Sequence, residues 1–302
     1  MTKRIQTPII VSVLALGLVG CAGGSTEPDG LRSAQGLTPS EVVAPSDVSP
    51  AEASADAVAV TPAVAVEKWR PWMDAEVERL RNEQPEYFDT MMSLEARTTR
   101  AGFPRISGPL VRNPDAAPIL LYRLLSKSEP VAVRAAIVDA LPRTMGDYSA
   151  ALAELMTLET EPRVRELIAA SLYRAAAPYA LDGLALGLAD VDAKVRAEAL
   201  RSVGRRKDGD VLASAVVAAL SDADEAVQIE AARAAGNLQV EAAKAGLVGK
   251  LTSDSGAVRR HSLRALSLID AEYTRSLAQL TTLQADADPK VARVAATIAA
   301  GD

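Results

Sequence analysis

Apolar residues recur along the second half of the chain with a long period laid over a helical one. Valine precedes arginine at Val133-Arg134, Val164-Arg165, Val195-Arg196 and Val258-Arg259. Val227-Gln228 fills the gap, and a degenerate copy begins at Val291-Ala292. Successive valines lie 31, 31, 32, 31 and 33 residues apart. Counted from each valine, positions 0, +4, +5 and +8 are apolar or small, as in Val133, Ile137, Val138 and Leu141, or Val195, Ala199, Leu200 and Val203. Those offsets form one stripe of a 3.6-residue helix. Upstream of each lies a partner helix, carried by Val211, Val216, Val217 and Leu220 in one copy and by Leu277, Leu280 and Leu283 in another. Gly204 and Gly236 fall nine residues after their valines, where a helix would end. One such hairpin cannot bury both faces alone, so about six copies predict a stack from residue 113 to 302.

The preceding residues read differently. Over 67–112, Trp69, Trp72, Met73, Val77 and Leu80 recur at helical spacing, and Pro71 suits a first turn. A second short helix is expected over Glu86–Arg97. The tryptophans either cover the open end of the stack or form a ligand cage. Residues 22–66 are rich in Ala, Pro, Ser, Val and Gly and keep no period. They read as a disordered tether, with a root-mean-square span of roughly 35–40 Å as a flexible coil, or as a variable segment with no spacing role. Ahead of them, Lys3 and Arg4 precede an apolar run from Ile9 to Val19. That run is shorter than the ~20 residues a membrane span takes, and it has the layout of a secretory signal.

Composition narrows the chemistry. Cys21 is the single cysteine and His261 the single histidine, which excludes internal disulfides and most histidine-based metal sites. Aromatics make up 3% of the chain, which suits closely packed helices rather than a β-sandwich. The net charge is -6. Two positive charges lie in the signal and a net five negative over 22–66, leaving three negative on residues 67–302. Nothing global points to nucleic acid. The chain contains no serine-hydrolase elbow, Gly-rich phosphate loop or Cys/His cluster.

Two resemblances follow from these motifs. Leu18-Val19-Gly20-Cys21 resembles the lipobox of bacterial lipoproteins. It implies cleavage of residues 1–20 and lipidation of Cys21 with acyl chains, palmitate among them. Ala22, in place of the aspartate that retains such proteins in the inner membrane, implies an outer-membrane address in a Gram-negative host. The repeat resembles HEAT repeats of the short, phycobilin-lyase-like variety, closest at Asp190-Val191-Asp192-Ala193-Lys194-Val195-Arg196-Ala197-Glu198-Ala199-Leu200. It implies an all-α, right-handed α-solenoid of about six HEAT-like helical hairpins (113–302) behind an N-terminal helical cap (67–112).

In that family an aspartate at the turn and an arginine six residues later form a ladder between repeats. Asp190 and Arg196 match; Arg134, Arg165 and Arg259 have partial partners in Ser128, Glu159 and Ser253, while Asp222/Gln228 and Asp286/Ala292 lose the arginine. The ladder is therefore expected to fail through the fourth copy and at the C-terminal end. The family also implies that the second helices line the concave surface, which holds the protein partner.

On that expected surface, offsets +3, +6 and +10 lie opposite the apolar stripe. Arg201, Arg233 and Arg264 recur at +6, Glu198, Glu230 and His261 at +3, and Arg143, Arg174 and Arg205 at +10. Stacked about 10 Å apart, the first three would make a guanidinium row suited to carboxylates or phosphates. Equally, Glu198/Arg201 and Glu230/Arg233 are ordinary i,i+3 pairs of a solvated face. The sequence thus predicts a non-catalytic, membrane-anchored protein-binding scaffold of the cell envelope, with a protein partner and no cofactor, metal or nucleic acid. The alternatives are an assembly factor of an envelope complex, or a bilin-lyase-like enzyme.

Overall fold

In four of the six repeats the turn between the two helices carries a polar residue that caps the second helix, and in the first two repeats a proline stands at that helix start instead. In the computed structural model, which describes residues 63–301 apart from 101–103, 107 and 127, these hairpins form one continuous array. The signal, Cys21 and residues 21–62 of the expected tether lie outside the described residues.

Six hairpins follow one another: α3 (Ala116–Ser126) with α4 (Val131–Ala140), α5 (Ser149–Leu158) with α6 (Pro162–Leu172), and α7 (Tyr179–Leu188) with α8 (Ala193–Val203). Then come α9 (Ala213–Ala219) with α10 (Glu225–Asn237), and α11 (Lys244–Gly249) with α12 (Gly256–Ile269). The last pairs a broken first helix, α13 (Ala271–Ser276) and α14 (Ala278–Leu283), with α15 (Pro289–Ala300). Asp192, Asp224 and Asp288 accept backbone N–H bonds at the starts of their second helices, and Ser255 does so for α12. These caps satisfy amides that a helix start leaves open.

Second helices pack on second helices in the order α4, α6, α8, α10, α12, α15. The predicted apolar stripe is their shared seam. Val164, Val195, Val227, Val258 and Val291 are buried, as are Ile137, Ile168, Ala199, Ala231 and Ala295 at +4. Ser262 takes that +4 place in the fifth copy, fully buried, and its Oγ has no hydrogen-bond partner among the described residues. Val211, expected in a first-helix stripe, is instead 69% exposed, in a short 3-10 turn that precedes α9.

The two repeat glycines serve packing, not a left-handed helix end. Gly204 closes α8 with φ of -64°, and Gly236 lies within α10. A Cβ on Gly204 would sit 2.8 Å from the Cα of Ala234, and one on Gly236 would sit 2.9 Å from that of Ala265. Each glycine lets one second helix approach the next.

The ladder exists, but with a different pairing from the one expected within each copy. Each arginine reaches forward to the acid of the next repeat. Arg134 pairs with Glu159, Arg165 with Asp190, Arg196 with Asp222 and Arg259 with Asp286, each through two N–H donors at 2.6–2.9 Å. The remaining nitrogen donates to carbonyls of its own turn, as Arg196 Nη1 does to Asp190 O at 2.9 Å. Thus Ser128 and Ser253 do not weaken their own copies, and the last repeat is joined through Asp286. One rung is missing, between the fourth and fifth repeats. There Gln228 donates to Asp222 O of its own turn, while Ser255 Oγ reaches back to Glu225 at 2.7 Å.

Burial alone would raise the Glu159 and Asp190 carboxyls. The hydrogen bonds from Arg134 and Arg165, together with backbone N–H bonds and the attraction of the guanidinium charges, outweigh it and hold both below the usual range. Asp222 and Asp286 are held low chiefly by their arginines.

The cap departs from the expected boundaries. Helix α1 (Ala63–Glu83) begins inside the stretch assigned to the tether, and Pro71 lies in its interior instead of its first turn. Helix α2 (Pro85–Ser93) stops short of Arg97, because Leu94 turns extended and Arg123 takes up the freed carbonyls of Met91 and Leu94 at 3.3 and 2.5 Å. Arg97 opens a two-residue strand, β1 (Arg97–Thr98), antiparallel to β2 (Pro104–Arg105). Helix α1 packs on α3 and α5. Trp69 is buried there, its indole N–H donating to Glu154 Oε2 at 2.9 Å, and Arg70 pairs with the same carboxylate.

Candidate partner-binding face

The solvent-facing side of the second helices changes character from one end to the other. In the first repeat it is already covered. Strand β2 lies on α4, and Asp139 at +6 takes Arg143 at 2.9 Å and Arg105 at 3.9 Å. Arg143 also donates to Ile106 O at 3.1 Å. A cleft of about 780 Å³ runs beside this segment, lined by Thr99, Arg105, Asp139, Arg163 and Leu167 among others.

In the third and fourth repeats the predicted residues come together, but as a network between repeats. Arg201, Arg233 and Arg264 are exposed at +6, as expected. The acids at +3 are not on the solvated face; they are set down between the helices, with Glu230 only 7% exposed. Arg201 bonds Glu198 and also reaches Glu230 Oε1 of the next repeat at 3.2 Å. Arg233 approaches the same oxygen at 3.4 Å. Burial raises the Glu198 carboxyl above its ordinary value against the opposing pull of Arg201, with Glu166 and Glu230 adding to the rise. One carboxylate, Glu230, therefore answers two guanidinium groups.

In the fifth repeat the +3 acid is replaced by His261. Its Nε2 lies 3.1 Å from Arg260. Burial, then Arg260, Arg233 and Arg264, lower its pKa against an opposing pull from Glu230, and the net shift favours the neutral imidazole. Arg264, and Arg293 on α15, form no ion pair or hydrogen bond with other described residues. Arg205 stacks over the Tyr173 ring at 4.1 Å.

Three clefts follow one another across α8, α10, α12 and α15. The first, about 200 Å³, includes Arg201, Arg205, Glu230, Arg233 and Asn237. Arg233 and Asn237 continue into the second, about 210 Å³, with His261, Arg264 and Leu268. Arg264 and Leu268 continue into the third, about 420 Å³, with Arg293, Val294, Thr297 and Ile298. Sequence reasoning missed Arg293, Asn237 and Leu268. Arg293 sits at +2 of the most degenerate copy, and Leu268 occupies the +10 position held by arginine in the first three copies.

A further cleft, about 280 Å³, is lined by Trp69, Trp72, Leu121, Asp147, Tyr148 and Tyr179. Trp69 thus covers repeats from within α1, while Trp72, 38% exposed, faces an open space. Among the described residues no three His, Cys, Asp or Glu side chains are placed to hold a metal ion, and no helix is long and apolar enough to cross a membrane.

Residues 181–267 and 213–301 each match the family model for HEAT repeats. The matches run from the third hairpin to the sixth, so the three linked clefts across α8, α10, α12 and α15 lie on HEAT repeats. Comparison with curated proteins gives no match. Solved structures similar to this chain include three engineered proteins. They are 22%, 23% and 24% identical to it, cover 59%, 61% and 62% of it, and are themselves covered over 95%, 53% and 90%, with TM-scores of 0.46, 0.41 and 0.40. The fold is an all-α solenoid bearing HEAT repeats.

Proposed function

We propose that this protein is a non-catalytic scaffold of the cell envelope, anchored through lipid on Cys21, that binds a protein partner along the second-helix face of its HEAT array. The observation that carries this reading is the run of three linked clefts over four successive second helices, edged by exposed arginines. A surface of that length suits an extended partner better than a small substrate, because stacked repeats present one extended binding surface. Two or more acyl chains would make the anchoring stable, since one alone is marginal.

The test joins fractionation to cross-linking in intact cells. Cys21→Ala should move the protein from the membrane to the soluble fraction; retention in the membrane refutes the anchor. A cross-linked partner recovered with the wild type should be lost with Arg201→Glu/Arg233→Glu/Arg264→Glu at unchanged helical content. Equal recovery refutes the face.

A further inference from the structure

We infer that the C-terminal half of this groove takes an extended protein segment carrying a carboxylate at about every third residue, with apolar side chains between. The inference rests on the scaffold reading and adds the chemistry of the partner. Its ground is the way charge is answered along the face. At the third and fourth repeats the cations have internal partners, Arg201 with Glu198 and Glu230, and Arg233 with Glu230. From α12 onward the internal acid disappears. His261 stands in its place, and Arg264 and Arg293 face the third cleft with no partner among the described residues. Guanidinium groups so placed grip a carboxylate through two parallel N–H donors.

The floor between them is apolar. Leu268 is 55% exposed and is shared by the second and third clefts, and Val294 and Ile298 continue it. Arginines flanking such a floor do not match a polynucleotide backbone, which offers phosphate at every step. They are also set in clefts between helices, unlike cations raised toward a lipid surface, and residues 67–302 are net negative. Packed helices lie about 10 Å apart, and an extended chain rises about 3.3 Å per residue. One carboxylate per cleft then recurs at every third position.

The first repeat gives an internal precedent for this mode. There an extended segment of the chain's own lies on α4, and Arg105 and Arg143 meet the acid at +6, Asp139. At the fifth repeat the +6 residue is Arg264, so the charges are exchanged and the incoming segment supplies the acid.

The experiment selects a displayed library of random 12-residue peptides on the purified full chain. Sequences rich in Asp or Glu at every third position, interleaved with Leu, Ile or Phe, are expected. A synthetic peptide of the selected sequence should bind Arg264→Glu/Arg293→Glu at least about tenfold more weakly, the scale of a lost charge-assisted contact, and should weaken in 500 mM salt. Both side chains are exposed, so folding should hold; if helical content falls, Arg264→Gln/Arg293→Gln replaces the pair. Selected peptides without acidic bias, or held equally by the variant, overturn the acidic class; if they are still displaced from the groove by Arg201→Glu/Arg233→Glu, the scaffold reading stands. No selected peptide, with phosphatidylglycerol vesicles bound through the same arginines, overturns both and makes the face a membrane contact.

Discussion

Arg165→Ala removes the guanidinium that joins the second repeat to the third. Four donor contacts go with it: Nε and Nη2 to Asp190 at 2.7 and 2.9 Å, and Nη1 to the carbonyls of Glu159 and Thr160 at 3.2 and 2.9 Å. The two side chains are 10% and 7% exposed, so Asp190 is left charged in a largely dry place. Removing one partner of a buried pair costs about 3–5 kcal/mol. Asp190 still accepts the Asp192 N–H at 2.8 Å, which puts the expected loss near the lower end, about 3 kcal/mol.

In a solenoid such a loss falls on one interface, and the chain carries its own local reporter. Both tryptophans lie in α1, which packs on the first two repeats, whereas far-UV ellipticity reports every helix. Urea titration of the wild type should give coincident fluorescence and ellipticity transitions; the variant should separate them. Acid adds a second readout. Asp190 is held low in the folded state, so its contribution is present above the unfolded value of about 3.9 and is lost as pH falls through the folded one. Arg165→Ala should therefore flatten the loss of stability below about pH 4. A destabilisation under about 1 kcal/mol, the worth of an exposed pair, with coincident transitions, would refute the view of the ladder as a coupling device.

Two further substitutions probe neighbouring features. The double variant Gln228→Arg/Ser253→Asp should supply the missing rung, with a coupling energy of about 1.5–3 kcal/mol in a double-mutant cycle; additive single effects would mean that the turn geometry there differs from the other four. Ser262→Ala removes a buried hydroxyl with no partner and should raise stability by about 1 kcal/mol in thermal melts; a fall would mean that the hydroxyl is satisfied.

The repeat and its buried stripe were legible because a 31-residue period and a 3.6-residue period coincide on the same valines. The forward pairing of the ladder was not, although its signal is in the chain. Acids stand five and three residues before the valine in Glu159/Glu161, Asp190/Asp192, Asp222/Asp224 and Asp286/Asp288. The first member meets the arginine of the preceding repeat; in three of the four copies the second caps the helix, and in the Glu159/Glu161 copy the helix start carries Pro162 instead. A within-copy comparison cannot show a bond made between copies. The same blindness hid the depth of Glu230, whose burial comes from the helix stacked beside it. Arg293 and Leu268 acquire meaning only from the cleft they share.

The missing rung also makes the tying of turn to turn uneven along the array. Elsewhere arginine clamps tie neighbouring turns; between the fourth and fifth hairpins the link is the packing of α10 on α12 and the Ser255 and Gln239 contacts. The middle cleft straddles that joint, with Arg233 on one side and Arg264 on the other, whereas Arg264 and Arg293 sit together on the clamped pair beyond. The interval between the first two guanidinium groups is therefore set by helix packing without an arginine clamp, and the second by packing together with the Arg259–Asp286 clamp.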